Sequence, residues 1–307
     1  MISPQKLFEL RYKITEELSG TSRDLLSVFP IQKYIEYIDC YPAISGYGFV
    51  GKKVNELCRN IVSTSNEHTL QLYHQLLLVD LISIADNKIR TKNFPAEIVN
   101  LFSSNFNRIA LEIEAGTDIK SYTYAEDRFR KKLAVCSLRM IPAGAQKINL
   151  VRMSRRILLQ HGIFQFTRAL SFVLIELGGF QPLFEMHTDS NDPELMAEFN
   201  ESGWLMFYRR VSELLKLRPE IKGIVGNSWF YDPQLEKISP RLTYLRKIVT
   251  ENGGCLFYVG PSASAIKDAT LKSPTRKKLY EEGTYIPTDY LVVWPRKQLI
   301  CWSDKAK

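Results

Sequence analysis

The stretch PLFEMHTDS, residues 182–190, decides how the second half of the chain folds. It follows the glycine pair Gly178–Gly179, and after its first residues apolar and polar side chains alternate. Successive side chains of a strand point to opposite faces, so this alternation predicts a strand with Glu185, His187 and Asp189 on one face. A strand at this place begins a region in which strands and helices follow one another.

Strand and helix patterns alternate from this stretch to the C-terminal end. Four pairs of a short polar residue and a proline mark helix starts, because such a residue caps the first turn and proline has a preset φ. These pairs are Asp192–Pro193, Asp232–Pro233, Ser239–Pro240 and Ser273–Pro274. The periodicity predicts helices at 203–217, 240–250 and 274–283, and strands at 182–189, 221–231, 255–260 and 289–302, the last holding one strand or two.

The N-terminal part of the chain has helical periodicity instead. Apolar residues at helical spacing predict a helix over 4–18. Two capping boxes predict the starts of two more helices, and each joins a threonine to a glutamate three residues later: Thr64 with Glu67, and Thr123 with Glu126.

The change from helical to mixed patterns falls between residues 140 and 180. A helix is predicted over 147–177, and Gly178–Gly179 forms its C-cap. We therefore expect a helical region over 1–145 and an α/β domain over 146–307, in which helices pack on a mixed sheet. The chain as a whole is expected to be α+β.

The composition is that of an ordinary globular protein, with 307 residues, 45% hydrophobic and 24% charged, and a net charge of +8. No apolar run reaches the ~18 to 20 residues that span a bilayer, and the N-terminal residues lack the apolar centre of a signal peptide. The five cysteines form no CxxC pair. A reducing, cytoplasmic location is the simplest expectation.

Several common motifs are absent from the sequence. It contains no GxxxxGK[ST], GxGxxG, GxSxG or HExxH. Their absence argues against P-loop NTPases, simple Rossmann dehydrogenases, typical serine hydrolases and the commonest zinc proteases. The positive charge lies in short clusters, which suit phosphate binding or solvated helix faces: residues 128–132, 152–156, 209–210 and 276–278.

Three roles are open for Glu185, His187 and Asp189. As metal ligands they would hold iron or manganese, although a facial triad needs a second histidine and none follows His187. As a proton-transfer group, His187 would act as a general base beside a carboxylate, at a strand end where α/β sheets hold ligands. As a structural set, His187 is a buried strand residue and Asp189 a turn acceptor.

The segment VGNSWFYDP, residues 225–233, is the second candidate part of a site. If it is a strand, Asn227, Trp229 and Tyr231 share one face, which combines amide, indole and phenol groups. Such side chains line ligand pockets, but large aromatic residues also fill the space between sheet and helix.

Two predicted helix starts contain groups that bind anions. Arg241 follows Ser239–Pro240, and Ser273 and Arg276 belong to the start of the helix at 274–283. Free backbone N–H groups and an arginine at a helix start can hold a phosphate. The alternative is an ordinary capped surface helix whose arginine forms a salt bridge.

Residues 180–302 resemble two groups of proteins. HTDS, SWFYDP, ISPRL, SPTRKKLYEEG and VVWPRK look like the C-terminal part of an uncharacterised family of bacterial proteins, a likeness that implies no activity. The order of strands and helices resembles the C-terminal half of the GNAT acyltransferase superfamily and of the related autoinducer-synthase-like acyltransferases. That likeness implies a GNAT-like sheet in which an acyl thioester lies between two splayed parallel strands, here 183–189 and 221–231. The superfamily's pyrophosphate loop, R/Q-x-x-G-x-G/A, is not matched by SNDPELMAEF.

The resemblance implies acyl transfer from acyl-CoA or an acyl carrier protein to a small amine or hydroxyl. By position, His187 would deprotonate the acceptor with help from Glu185 or Asp189, and Tyr231 would act as the acid. Asn227, Trp229 and Ser273 would then contact the donor, and Arg241 and Arg276 would hold its phosphates.

Two other functions remain open at this stage. One is a non-haem, metal-dependent oxygenase-like enzyme that uses Glu185, His187 and Asp189. The other is a protein that binds nucleic acid or another anionic partner through its basic clusters. The sequence has no recognisable reading helix or aromatic RNA-binding motif, which disfavours nucleic acid as the partner.

Overall fold

The structure is a computed structural model, and it describes residues 2–21, 24–48, 50–116, 119–159 and 161–305. The chain divides into two compact units. The first contains the residues up to Ala143 together with Lys147–Leu150, and the second contains Gly144–Gln146 and the residues from Val151 onwards. The predicted domain boundary at 145 stays a prediction.

The first unit is built from helices that bury apolar stripes. In α1 the buried residues are Leu7, Leu10, Ile14 and Leu18, at the spacing that the sequence predicts. The helix α5 contains the most buried residues of this unit and contacts α1, α3, α4, α6 and α7. The helices are α1 (Pro4–Thr21), α2 (Leu25–Val28), α3 (Ile31–Asp39), α4 (Lys52–Thr64), α5 (Glu67–Thr91), α6 (Ala96–Glu114) and α7 (Asp127–Cys136).

Both predicted capping boxes are wrong. Thr64 is the last residue of α4, and its hydroxyl donates to the carbonyl of Asn60. The N-cap of α5 is Asn66, whose side chain accepts a 2.8 Å hydrogen bond from the backbone of Thr69. Thr123 begins a backbone turn, and α7 starts after Glu126 without a side-chain cap.

The predicted helix over 147–177 is also wrong. The first six residues of this range form β2 (Lys147–Arg152), which pairs antiparallel with β1 (Met140–Pro142) in a hairpin. A glycine with φ +100°, Gly144, lies in the connecting turn, where other residues are strained. The alternation of KINLVR is that of a strand, and the helix begins only at Gly162.

The second unit combines four further strands with eight helices among its described residues. Two predicted elements are confirmed closely, the helix at 203–217 and the strand at 255–260. The elements are α8 (Gly162–Ile175), β3 (Pro182–His187), α9 (Pro193–Ala197), α10 (Glu201–Leu217), β4 (Gly223–Ser228), α11 (Leu235–Ile238), α12 (Tyr244–Thr250), β5 (Cys255–Pro261), α13 (Ala263–Leu271), α14 (Pro274–Glu281), β6 (Thr288–Pro295) and α15 (Arg296–Lys305).

Two predicted elements in this unit end earlier than expected, and one helix is additional. The strand β4 ends at Ser228, because the chain turns into a single 3₁₀ turn at Trp229–Tyr231. The segment 289–302 contains one strand and then α15 rather than a second strand. The helix α13, whose N-cap is Ser262, was not predicted.

The strands of the second unit form a mixed sheet in the order β3-β4-β6-β5. The pair β3–β4 is parallel, and β6 is antiparallel to both β4 and β5. Together with the hairpin, the described residues form six strands and many helices, so the predicted α+β class with a mixed sheet is confirmed.

Helices cover both faces of this sheet. On one face α8 packs Ala169 and Val173 into a core cluster with Val225, Phe257 and Val293. On the other face, aromatic rings of α10 and α15 surround Trp294 of β6, with ring centroids of Tyr208 and Trp302 5.0 and 5.2 Å away. Alternation along each strand provides these two apolar faces.

Candidate functional site

A cavity opens at the carboxyl ends of the parallel strands β3 and β4. These strands pair at Phe184 with Ile224 and at Glu185 with Val225. Residues 186–188, at the end of β3, and residues 227–228 of β4 line a cavity of about 870 Å³. By contrast, β4 pairs with β6 along its full length, to Ser228. The cavity therefore lies at the carboxyl ends of the parallel pair β3 and β4, where α/β sheets commonly hold ligands.

The absence of a side chain at Gly226 keeps this region compact. A Cβ added there would lie 2.9 Å from the hydroxyl of Tyr231 and closer still to the side chain of Met186. Both residues line the cavity. A glycine at this point in β4 lets the two side chains fill the space beside the strand.

The imidazole of His187 lies in the cavity wall with a carboxylate beside it. The Nε2 atom of His187 is 3.2 Å from Oε2 of Glu185. The two residues are neighbours on one face of β3, as alternation predicts. The His187 side chain is 19% exposed and that of Glu185 is 37% exposed. A partly open imidazole beside a carboxylate can accept a proton and be stabilised as imidazolium.

Asp189 lies outside the lining of the cavity. It is buried in the turn after β3, where its carboxylate accepts a 3.3 Å hydrogen bond from the backbone of Asn191. This is the turn-acceptor role that the sequence left open beside the catalytic one. Glu185 contacts His187 but, like Asp189, does not line the cavity.

Asn227, Trp229 and Tyr231 all line the cavity, although the strand ends before two of them. Asn227 is exposed, while Trp229 and Tyr231 are buried. Burial raises the pKa of Tyr231 well above its ordinary value. Its hydroxyl therefore stays protonated and can donate a hydrogen bond into the cavity.

Arg276 lines the cavity but is fixed by internal bonds. Its Nε donates to the carbonyl of Ala269 at 2.6 Å, and one terminal nitrogen donates to the hydroxyl of Ser239 at 3.0 Å. The guanidinium carbon lies 4.8 Å from the ring centroid of Trp229, a cation–π distance. Burial lowers the pKa of this arginine. Arg276 thus braces one wall of the cavity by joining α13, α14 and the aromatic turn.

The other two predicted anion-binding residues have different settings. Arg241 lies in a 3₁₀ turn at Pro240–Leu242, is exposed and lines the cavity. Ser273 caps α14, since its hydroxyl accepts a 3.3 Å hydrogen bond from the backbone of Arg276, and it lies outside the lining. Ser239 does not cap the turn after it, because its hydroxyl binds Arg276 instead.

Part of the cavity wall comes from segments that the sequence did not indicate. The start of α10 contributes Glu201, α13 contributes Asp268, and β6 contributes Asp289. Lys272, the C-cap of α13, also lines the cavity. Asp289 accepts a 2.6 Å hydrogen bond from the hydroxyl of Ser262, the N-cap of α13. The sequence feature that could have predicted α13, and with it this part of the wall, is Ser262, a capping residue before a helical run.

Among residues 2–21, 24–48, 50–116, 119–159 and 161–305, no group of three or more histidine, cysteine, aspartate or glutamate side chains is placed to hold a metal ion. The metal site considered for Glu185, His187 and Asp189 is not formed by these described residues. The carboxylate of Asp189 is instead held in its turn.

Several of the basic clusters are neutralised within the fold. In the helical unit, Arg128 and Lys132 contact Glu112 at 3.0 and 2.5 Å, and Lys131 contacts Asp127 at 2.8 Å. In the α/β unit, Arg210 contacts a carboxylate at 2.6 Å. These pairs leave less free positive charge for a nucleic acid than the sequence indicates.

Comparison with known proteins yields a likeness of structure alone. No family model and no curated protein matches the chain. A solved acyltransferase in complex with decanoyl-CoA is 12% identical, with 89% of this chain and 86% of that chain covered and a TM-score of 0.46. An acyltransferase in complex with CoA and 10C-Teicoplanin is 10% identical, with coverage of 90% and 80% and a TM-score of 0.48. Likeness at this level assigns neither a ligand nor an activity to this chain.

Proposed function

We propose that this protein is an acyltransferase that moves an acyl group from a thioester donor, coenzyme A or a carrier protein, to a small amine or hydroxyl. One observation carries the proposal: the cavity at the carboxyl ends of β3 and β4, with His187 in its wall. This is the place where the family resemblance puts a thioester. The 3.2 Å contact with Glu185 gives the imidazole a partner for positive charge.

The proposed reaction uses groups in the cavity wall. His187 removes a proton from the acceptor nitrogen or oxygen, and the Glu185 carboxylate stabilises the imidazolium that forms. The acceptor attacks the thioester carbonyl, and the bond from carbon to sulfur breaks. The released thiolate takes the proton of the imidazolium, so the products are the acylated acceptor and a free thiol. The hydroxyl of Tyr231 stays protonated and acts as a hydrogen-bond donor in the cavity wall.

The charges of the wall suit the two substrates. Arg241 and Lys272 are exposed cations in the lining, which can contact the phosphates of a coenzyme A or carrier-protein arm. Glu201, Asp268 and Asp289 are carboxylates in the same lining, which attract a protonated amine before it is deprotonated. Asn227 and Trp229 present an amide and an indole face between these groups.

The direct test is product formation with a panel of acyl-CoA donors and small amines and alcohols. Products are followed by mass spectrometry, because the exposed thiols Cys40 and Cys301 react with thiol reagents and give a background. We expect His187→Ala to lower the rate by roughly 10²- to 10⁴-fold, the usual contribution of a general base. Release of free thiol without acceptor acylation by the wild-type protein would instead indicate a thioesterase.

His68→Ala is the matched control, because His68 is an exposed histidine on α5. Its rate is expected to equal that of the wild-type protein. An active wild-type protein whose His187→Ala variant is equally active would remove His187 from the mechanism. A wild-type protein that neither binds nor consumes any acyl thioester contradicts the proposed function as a whole.

A further inference from the structure

The outer face of α8 is an exposed apolar surface. Four large side chains on this helix are mostly open to solvent: Ile163 (66%), Phe164 (88%), Leu174 (57%) and Ile175 (75%). Leu159, just before the helix, is 84% exposed. Soluble proteins seldom leave so many large apolar side chains open on one short element. We call these five residues the α8 surface.

The exposed residues of α8 share one side of the helix. Ile163 and Leu174 are eleven residues apart, as are Phe164 and Ile175, which is close to three full turns. The exposed residues Thr167 and Ser171 lie between them on the same side. The opposite side packs Ala169 and Val173 into the core of the sheet. The helix therefore has two apolar sides, and only one of them is used by the fold.

Bonds to the edge strand β5 fix which side faces outwards. The side-chain amide of Gln165 donates to the carbonyl of Tyr258 at 2.9 Å and accepts from its backbone nitrogen at 3.0 Å. A guanidinium nitrogen of Arg168 lies 3.2 Å from the sulfur of Cys255. These contacts occupy backbone groups at the sheet edge and prevent α8 from turning its apolar side inwards.

The charge beside the α8 surface is mainly positive, and Glu176, the C-cap of α8, is the first carboxylate after the helix. Residues 151–175 contain four arginines and neither aspartate nor glutamate. Arg152, Arg155 and Arg156 are exposed, and the turn that holds two of them packs against α8. No ion pair neutralises these three among the described residues, unlike the cations of the helical unit.

We infer that the α8 surface docks on an anionic lipid membrane, with α8 lying in the plane of the interface. Apolar side chains flanked mainly by arginines are the composition that an anionic interface binds. At 14 residues α8 is roughly 20 Å long, too short to cross a bilayer. Among the described residues, no helix meets the length and hydropathy needed to span a membrane.

Flotation with vesicles tests this inference on the full chain. We expect binding to vesicles of phosphatidylcholine mixed with phosphatidylglycerol, weaker binding to phosphatidylcholine alone, and loss of binding as the salt concentration rises. Phe164→Ser is expected to weaken binding at least roughly tenfold, because a large apolar side chain no longer enters the interface. Arg152→Ala and Arg156→Ala are each expected to weaken it roughly fivefold.

Two control variants test whether binding requires the α8 surface or only an exposed aromatic or positive side chain anywhere on the protein. Phe8 is a 69% exposed aromatic on α1, so Phe8→Ser matches Phe164→Ser. Lys267 is an exposed cation on α13, so Lys267→Ala matches the arginine variants. Neither control is expected to change binding, and circular dichroism checks that every variant is folded.

Three outcomes would overturn the inference. The first is a wild-type protein that does not float with anionic vesicles. The second is flotation that Phe164→Ser and Phe8→Ser reduce equally. The third is a wild-type dimer, seen by light scattering, that Phe164→Ser converts to a monomer, because the α8 surface would then be covered by a second copy of the chain. None of these outcomes depends on acyl transfer.

Discussion

Two histidines of this protein each have polar partners, but one is buried and the other lines a cavity. In the helical unit, Nε2 of His74 is 3.0 Å from the hydroxyl of Tyr34 and 3.6 Å from the sulfur of Cys58, and its Nδ1 is 2.8 Å from the carbonyl of Tyr122. His187 of the α/β unit also has a polar partner, Glu185. His74 has no exposed surface, whereas His187 lines a cavity.

The comparison shows why a list of polar neighbours does not identify a site. Cys58 and His74 are placed like a thiol and its base, but burial raises the pKa of Cys58 to about 11 and lowers that of His74 to about 4. Both groups are therefore neutral near pH 7, and a thiolate–imidazolium pair does not form. The ring of Phe129 also stacks on His74, with centroids 4.5 Å apart. The hydrogen bonds of His74 lie within the buried core, whereas His187 lines a cavity that a ligand can enter.

Alanine at each histidine gives the largest expected contrast. His74→Ala removes a packed ring and leaves Tyr34 with fewer partners, so we expect a loss of about 3–5 kcal/mol in the free energy of unfolding. His187→Ala is expected to cost less than about 1 kcal/mol, because its side chain is partly exposed. Urea denaturation followed by circular dichroism measures both.

Activity is expected to respond in the opposite order. Below its unfolding temperature, His74→Ala should keep the wild-type rate of acyl transfer within a few-fold, while His187→Ala loses it. Equal losses of stability in the two variants would show that His187 is as structural as His74. A large loss of activity in folded His74→Ala would show that the helical unit contributes to the reaction.

The sequence predicts the face of β3 on which His187 lies better than it predicts the cavity wall around that residue. Alternation in PLFEMHTDS fixes which residues share a face of β3, because side-chain direction in a strand is a local property. Asn227, Trp229 and Tyr231 were singled out from alternation that ends at Ser228, and they line the cavity through a turn instead. The strand-to-turn change depends on tertiary contacts that local pattern does not contain.

Other parts of the site could not be predicted because their roles are set by distant contacts. Arg276 has the sequence features of a phosphate ligand, but Ala269, Ser239 and Trp229 engage its guanidinium. The helix α13 carries Asp268 into the wall, and its sequence has weak apolar periodicity. The strand β2 lies in a range that the sequence predicts as helix, because its apolar residues also fit a helical stripe.

The buried state of His74 predicts a pH dependence of stability. Its pKa in the folded protein is about 4, below the ~6.5 of an exposed histidine, so the unfolded chain takes up the proton first as the pH falls. This contribution to stability is complete above about pH 6.5 and is lost between there and about pH 4. The loss amounts to about 3 kcal/mol at pH 4.

The free energy of unfolding, measured at pH 7 and at pH 4.5, gives the contribution of His74 to stability. The carboxylates of the chain add their own pH dependence, which His74→Gln shares with the wild-type protein. The difference between the two proteins therefore isolates the imidazole. His68→Gln is the control, because this exposed histidine of the same helix should leave the wild-type pH dependence unchanged. If His74→Gln keeps the full wild-type slope, His74 is not buried in its neutral form.

A smaller loss than that of His74→Ala is expected from one hydroxyl of the His74 network. The Tyr34 hydroxyl donates to the Tyr124 hydroxyl at 2.5 Å and lies 3.0 Å from His74. Tyr34→Phe keeps the ring and its packing but leaves two buried polar atoms with one partner fewer, so we expect a loss of about 2 kcal/mol in unfolding free energy. Tyr12→Phe is the control, since the exposed Tyr12 hydroxyl bonds only a neighbouring carboxylate on α1, and its effect should stay within about 0.5 kcal/mol. Equal effects of the two substitutions would mean that the buried hydroxyl contributes no more than a solvated one, and the contrast between a closed polar core and an open site would then rest on His187 alone.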